Sequence, residues 1–370
     1  MTPPARTSAA GIPRALPQYG ALVAVLLANW LLFPDFFTIR LQDGRLFGSL
    51  IDVLNRGAPV ALLAIGMTMV IATRGVDLSV GAVMAISGAV AATMTGAGWG
   101  LAPVLATSLA AGLLCGLWNG LLVAVLRIQP IIATLILMVA GRGIAQLITE
   151  GQIVTFTSPG LAAVGSGSVL TVPMPVAITV AVLAVTGLLV RRTALGLMIE
   201  AVGVNRLSSA GAGVNTPVVL VAVYAWCGLC AAVAGLIVTA DIRGADANNA
   251  GLWLELDAIL AVVVGGTSLL GGRFGLVLSL VGALIIQAMN TGILLSGFKP
   301  EFNLIVKAVV LMIVLLLQSP ALTLFLPRPG SPRSGSPHPR TPRPAEPPVK
   351  SGSVKSGGVK SGGIKPGAGA

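Results

Sequence analysis

Long apolar stretches alternate with short polar breaks along most of the chain. Taking the ~17–25 residues a helix needs to cross a bilayer as the criterion, spans are expected near 19–34, 57–73, 79–95, 101–126, 130–149, 173–190, 217–240, 257–271, 274–296 and 302–319. The eighth is short and rich in glycine (Gly265, Gly266, Gly271, Gly272). It reads as a broken or re-entrant element, which a membrane tolerates only where protein or a cavity surrounds it. The pattern therefore predicts an all-α fold, a polytopic transmembrane helical bundle of about ten spans over 19–326. A cytoplasmic segment, 1–18, precedes it, and a basic cytoplasmic tail, 327–370, follows. The first apolar run has no convincing cleavage site behind it and reads as a topological start rather than a removed signal. In the tail, Lys-Ser-Gly units recur at Lys350, Lys355 and Lys360, a composition that cannot bury a core and is expected to be disordered.

Composition agrees with lipid as the main solvent. The chain is 55% hydrophobic and 9% charged, where a soluble domain carries about 25% charged residues. Its mean hydropathy is +0.94, and its 47 glycines suit helices that approach closely in lipid. The net charge of +11 suggests nucleic acid until it is located. Arg328, Arg333, Arg340, Arg343, Lys350, Lys355, Lys360 and Lys365 lie beyond residue 326 against a single Glu346, so most of the excess belongs to the tail. A basic tail after the last span fits the cytoplasm beside anionic lipid better than it fits base reading.

Orientation follows from the positive-inside rule with the N-terminus in the cytoplasm. Arg6, Arg14, Arg74, Arg127, Arg191, Arg192, Arg206 and Arg273 then fall inside, with only Asp77, Glu200 and Glu346 as acids. The outer loops hold Asp35, Asp43, Asp52, Glu150, Asp241, Asp246, Glu255, Asp257 and Glu301, together with Arg142 and five other basic residues. Ser108, Asn119 and Pro130 recur as Ser279, Asn290 and Pro300 at nearly equal spacing. Because the fourth and ninth spans run in opposite directions, such a repeat would be inverted; coincidence is the alternative.

Chemistry-bearing residues are sparse. Cys115, Cys227 and Cys230 sit in apolar stretches, and the Cys227/Cys230 pair has the i, i+3 spacing of packed helix neighbours. The one histidine, His338, is in the tail. There is no Gly-x-x-x-x-Gly-Lys-Ser/Thr, no His-Glu-x-x-His and no Gly-x-Ser-x-Gly, so neither ATP binding by a P-loop nor hydrolysis has a candidate set. The chain is read as non-catalytic, with no cofactor and no metal.

Three polar interruptions carry functional candidates. Arg74 to Gly81, with Asp77, Ser79 and Gly81, is either a turn whose Asp77 or Ser79 caps the next span or a gate element. Ala240 to Asp257 is the most polar outer segment. It is either a solvated loop or a periplasmic mouth in which Asp241, Asn248, Asn249, Trp253 and Glu255 meet a sugar through hydroxyl hydrogen bonds and an aromatic face. Arg191 to Thr216 is the longest inner segment. Its small-residue stretch, with Glu200, Gly203, Asn205 and Gly211, is a linker or a short helix that enters a partner's groove.

At these segments the chain resembles the carbohydrate-uptake permeases of bacterial ABC importers, the ribose-type branch, over about residues 18–320. GVDLSVGAVMAISG, TALGLMIEAVGVN, AGVNT and ELDAILAVVVGGTSLLGG are typical of that branch. QDGRLFGSLIDVLNRGAPVALLAIGMT, IQPIIATLILMVAGRG and ADIRGADANNAGLWLELDAI are closer still to galactofuranose importer permeases. The resemblance implies a monosaccharide permease subunit of the bacterial inner membrane, in a complex with a cytoplasmic ABC ATPase, a periplasmic sugar-binding protein and a second permease, which is the same chain or a paralogue. It places the ATPase-coupling helix around Glu200, Gly203, Asn205 and Gly211. An ion-coupled transporter or channel is the alternative. That class generally needs acids at mid-membrane, whereas the carboxylates here are expected at the membrane edges.

Overall fold

A computed structural model describes residues 16–42, 45–297, 299 and 301–318. The expected tail, 327–370, and nearly all of the N-terminal segment lie outside the described residues. In chain order the elements are α1 (Leu16–Leu32), a 3-10 turn (Pro34–Phe37), β1 (Arg40–Gln42), β2 (Arg45–Phe47), α2 (Ser49–Ala72), α3 (Val80–Gly96), α4 (Leu101–Ala124) and α5 (Pro130–Ile148). They continue as β3 (Val154–Thr155), α6 (Pro159–Ser166), β4 (Ser168–Val169), β5 (Val172–Pro173), α7 (Met174–Arg192), α8 (Leu195–Val204), α9 (Arg206–Gly211) and α10 (Thr216–Ile242). Last come β6 (Gly244–Ala245), α11 (Leu254–Val264), α12 (Leu276–Leu295) and α13 (Glu301–Gln318). The strands form three small antiparallel ribbons, β1–β2, β3–β6 and β4–β5. The chain is a polytopic helical membrane protein.

Among the described residues six helices, α2, α4, α5, α7, α10 and α12, are long and apolar enough to cross a membrane, so helix length does not establish ten full spans. The shortfall is informative. α3 has 17 residues and α11 has 11, and at ~1.5 Å per residue α11 rises only ~16 Å against a hydrocarbon core of ~30 Å. The expected span at 257–271 is thus a half-length helix that stops at Val264, followed by an irregular Gly-rich run. Gly266, Gly271 and Gly272 there adopt positive φ, which glycine reaches without a Cβ clash.

Two helices form the centre. In their most apolar windows α2 is 83% buried and α10 67%, against 17% for α7, 22% for α4 and 28% for α5, so the latter three turn much of their surface to lipid or to a partner. With no hydrophobic drive between helices in lipid, close approach has to come from small residues. α4 supplies them at four-residue spacing, Gly112, Gly116 and Gly120, against Gly228, Tyr224 and Val221 of α10; a Cβ on Gly116 would collide with the Tyr224 and Ala225 backbone. α2 crosses α10 where Gly66 rests on Cys227 and Cys230, so this cysteine pair is packing material, buried and free. α12 runs antiparallel to α2, with Thr68 donating to Ser279 at 2.7 Å.

The six positions of the sequence repeat do not share one kind of surrounding. Ser108, Asn119 and Ser279 are fully buried, Asn290 lines an outer cavity, and Pro300 lies outside the described residues.

Candidate functional site

The polar interruptions meet inside the protein rather than at its edges. After α2 ends, Arg74 adopts a left-handed backbone with φ 63° and turns the chain back along the bundle. Arg74 donates to the Val204 carbonyl at 2.7 Å and does not pair with Asp77. Asp77 is 1% exposed. Its Oδ1 accepts from the Ser79 amide at 3.0 Å, from Ser79 Oγ at 2.6 Å and from Asn119 Nδ2 at 3.3 Å, and Asn119 also donates to Ser79 Oγ at 2.8 Å. Ser79 immediately precedes α3, yet its hydroxyl makes no capping bond to that helix; it is spent on Asp77.

Depth follows from helix register. Asp77 lies beside Cys227, and further along Gly235 packs under Met84 and Ser87, so α3 and α10 run parallel. Cys227 is eleven residues into α10, about 16 Å from its inner end, which puts Asp77 near the middle of the hydrocarbon. The outer segment arrives at the same level from the other side. From β6 the chain turns inward and reaches Trp253, whose φ of 66° starts α11. Gly81 abuts Gly251 and Glu255, so the N-termini of the two short helices, α3 and α11, meet. Glu255 is 4% exposed with Oε2 unpartnered, and Asp257 is 4% exposed and paired to Lys307 of α13 at 2.7 Å. The expected placement of carboxylates at the edges is thus corrected for Asp77, Glu255 and Asp257. Transporters commonly build such meetings of broken helices near the midplane.

The other expected mouth residues divide. Asn248 accepts from Gln146 at 2.7 Å. Asp246 gathers the loop, accepting from the Asn248 and Asn249 amides at 3.0 and 3.2 Å and from Asn249 Nδ2 at 2.7 Å. The Asn249 side-chain bond holds the Asp246 carboxyl below the usual carboxylate range. Arg142, expected in an outer loop, reaches from within α5 to the Ala247 and Ala250 carbonyls at 3.0 and 2.6 Å. Trp253 is exposed. Asp241 stands apart from these, in a separate cavity.

That cavity, about 300 Å³, lies between the outer halves of α2, α10, α12 and α13 and is lined by Asn55, Arg56, Asp241, Gln287, Asn290 and Asn303 with Pro59, Ile237 and Leu294. The side-chain oxygens of Asn55, Asn290 and Asn303 have no hydrogen-bond partner. A second hollow of about 200 Å³ shares Asn55, Gly165 and Asp241 with it and extends to the β-ribbons. Amides and two opposite charges, Arg56 and Asp241, among apolar walls, at the low end of ligand-cavity volumes, suit a small neutral ligand rich in hydroxyls. Sequence reading had missed Asn55, Gln287 and Asn303; the signal was single amides on otherwise apolar helices, with Gln287 and Asn290 one turn apart.

On the inner side, the four coupling candidates share no face. Gly203 is buried, where an added Cβ would overlap the Ala72 carbonyl and the Gly272 amide. Asn205 caps α9, its side chain accepting from the Ser208 amide at 3.0 Å. Gly211 is exposed, and Glu200 borders an inner cavity. The projecting side chains are instead Leu197, Val204 and Leu207, 74%, 63% and 86% exposed.

Residues 49–315 match the family described as branched-chain amino acid transport system, permease component. The galactofuranose transporter permease protein YtfT of Escherichia coli K12 is 66% identical, over 83% of this chain and 90% of its own length. The fructose import permease protein FruF of Bifidobacterium longum is 43% identical over 77% and 82%, and the ribose import permease protein RbsC of Escherichia coli K12 is 38% identical over 81% and 92%. No solved structure matches.

Proposed function

The chain belongs to this family of importer permease components, a multi-pass subunit of the bacterial inner membrane, and from that premise we propose that it forms the path for a monosaccharide of the galactofuranose class. The observation that carries this reading is the outer cavity, lined by the amide residues Asn55, Gln287, Asn290 and Asn303, a side-chain type that hydrogen-bonds sugar hydroxyls. Each hydrogen bond between such an amide and a sugar hydroxyl is worth ~0.5–1.5 kcal/mol, which an apolar ligand would not gain. A sugar leaving a periplasmic binding protein enters between α2, α10 and α12. It is then blocked where the α3 and α11 N-termini close on each other around Gly81 and Gly251.

Opening this block requires work from another chain, since this sequence has no phosphate-binding loop. The ATPase contact is assigned to α8 and α9, with the knobs Leu197, Val204 and Leu207 entering the partner's groove and Gly203 serving the internal packing. The Gly272 amide donates to the Ala72 carbonyl at 2.8 Å and Gly203 of α8 packs against both groups, which links α8 through the 271–272 turn to the half-helix α11. A second permease, the same chain or a paralogue, completes the complex. The role assigned to the chain is that of a non-catalytic permease subunit.

The test is uptake of labelled galactofuranose, with ribose and fructose as competitors, by vesicles carrying the full importer. Asn55→Leu and Asn290→Leu should each lower uptake about tenfold, equivalent to one lost hydrogen bond of ~1.4 kcal/mol, while ATPase association stays normal. Unchanged uptake in the double variant would remove the cavity from the path.

A further inference from the structure

The inner cavity, about 820 Å³, belongs to neither the sugar path nor the packing core. It opens between α7, α8 and the start of α12, with Leu183, Gly187 and Leu188 on one wall and Leu276, Val277 and Leu278 on the other. Arg191 and Arg192 stand at its inner rim, both exposed. Arg273, also exposed, immediately precedes Phe274 of the facing wall. The one carboxylate on the lining is Glu200, and it pairs with none of them: among the described residues the only ion pair is Lys307–Asp257. The arginines are therefore a surplus of positive charge at the cytoplasmic end of a groove whose walls are apolar.

The groove's depth has a natural match. From Arg191 back to Leu183 is eight residues of helix, about 12 Å, close to the ~15 Å of one leaflet's hydrocarbon. α7 is the least buried of the crossing helices, so this face turns outward. Leu188 and Val277, 60% and 45% exposed, would otherwise flank an empty slot. We propose that the groove is a site for an anionic phospholipid of the cytoplasmic leaflet, its phosphate held by Arg191 and Arg192 and its acyl chains laid along α7 and the first turn of α12. Basic pockets between membrane helices on the cytoplasmic side select such headgroups, and guanidinium groups bind phosphate with paired hydrogen bonds. Because α8 forms one wall, an occupied groove would also brace the helix assigned to the ATPase contact.

The experiment is native mass spectrometry of the full-length chain, purified in mild detergent with its partner subunits, titrated with phosphatidylglycerol and separately with phosphatidylcholine. The wild type should retain phosphatidylglycerol in preference. Arg191→Gln with Arg192→Gln should weaken that binding about thirtyfold, the loss of two arginine contacts, and Arg191→Lys with Arg192→Lys should recover most of it. Gly187→Leu, where an added Cβ meets open space and the fold is undisturbed, should weaken both lipids by filling the slot. Equal retention of the two lipids, or wild-type phosphatidylglycerol binding in either the glutamine or the Gly187→Leu variant, would overturn the assignment. So would phosphatidylglycerol that binds only once the partner subunits are stripped away, since the groove would then be a protein interface.

Discussion

The ion pair between Asp257 on α11 and Lys307 on α13 offers a quantitative test of the interior reading. Its Nζ to Oδ2 distance is 2.7 Å and the side chains are 6% and 15% exposed, so both charges are largely out of water and α13 has few other contacts with the bundle. Lys307→Met keeps most of the side-chain volume and deletes the charge, which leaves a buried carboxylate alone. Removing one partner of a buried pair costs ~3–5 kcal/mol, or two to four powers of ten in the ratio of folded to unfolded chain. Asp257→Leu should cost less, because the long Lys307 stem can carry its ammonium toward water. The double variant Asp257→Leu/Lys307→Met removes both charges and should sit near wild type. Thermal unfolding of the detergent-solubilised chain, followed by fluorescence-detected size exclusion, gives the order. The lysine variant should be lowest, the aspartate variant intermediate and the double variant highest. A double variant as unstable as Lys307→Met would mean that the two charges do not compensate each other, and the placement of α11 against α13 would fall with it.

Three further outcomes follow from the same geometry. Gly81→Ala should lower stability by ~1–3 kcal/mol through overpacking, because its Cβ would press on the Gly251 backbone and the Glu255 carboxylate; an unshifted thermal midpoint would separate α3 from α11. Leu207→Asp should leave membrane abundance normal and weaken co-purification of the ATPase, whereas Gly203→Trp should abolish the folded chain itself, since its surroundings are backbone; wild-type ATPase recovery with Leu207→Asp would take the contact off α9. For Asp246 the carboxyl is depressed in the folded state, so its contribution to loop order is fully present above the unfolded value of ~3.9 and is lost as pH falls through its lower folded value. Hydrogen exchange at residues 246–250 should accordingly be flat in protection from pH 8 to 5 after correction for intrinsic rates, while Asp246→Asn should lose protection already at pH 7; protection falling between pH 7 and 5 would contradict the assignment.

The class of fold was legible because lipid imposes a length rule on apolar runs, and the helices α2, α4, α5, α7, α10 and α12 obey it. The outer and inner candidates were legible only as segments. Residue by residue the structure separates them: Asp241 lines a cavity, Asn248 accepts from Gln146, Glu255 and Gly203 are buried, and Leu197, Val204 and Leu207 hold the exposed positions. The cause is that sequence shows which residues are small or polar and not which way a ten-residue helix is turned. Gly203 and Gly211 look alike on paper, yet one lies against the backbones of Ala72 and Gly272 and the other faces open space.

The displaced carboxylates have a different cause. A polar break between two apolar runs is equally a membrane boundary or a break within the membrane, and charge statistics treat it as a boundary. Asp77 precedes α3, whose 17 residues are at the lower limit for a span, and Glu255 lies in the first turn of α11, whose 11 residues are too few to cross, and a helix that cannot reach the far surface from the near one has to begin or end at depth. Its terminal amides must then find partners in protein. Here the irregular segment 75–79 and the outer loop supply the missing length, and the Leu78 and Ser79 amides just ahead of α3 donate to Thr134 Oγ1 and Asp77 Oδ1. A length deficit beside a carboxylate was therefore the signal for an acid at mid-membrane. It also separates this arrangement from ion coupling, because Asp77 Oδ1 accepts three hydrogen bonds and Asp257 pairs with Lys307, which leaves Glu255 Oε2 as the carboxylate oxygen without a partner at the point where the two half-helices meet. A carboxylate so placed acts on the closure between α3 and α11, and Glu255→Gln should change the rate at which that closure opens, read as sugar uptake at fixed ATPase association; an unaltered rate would make Glu255 a packing residue of the α11 N-terminus.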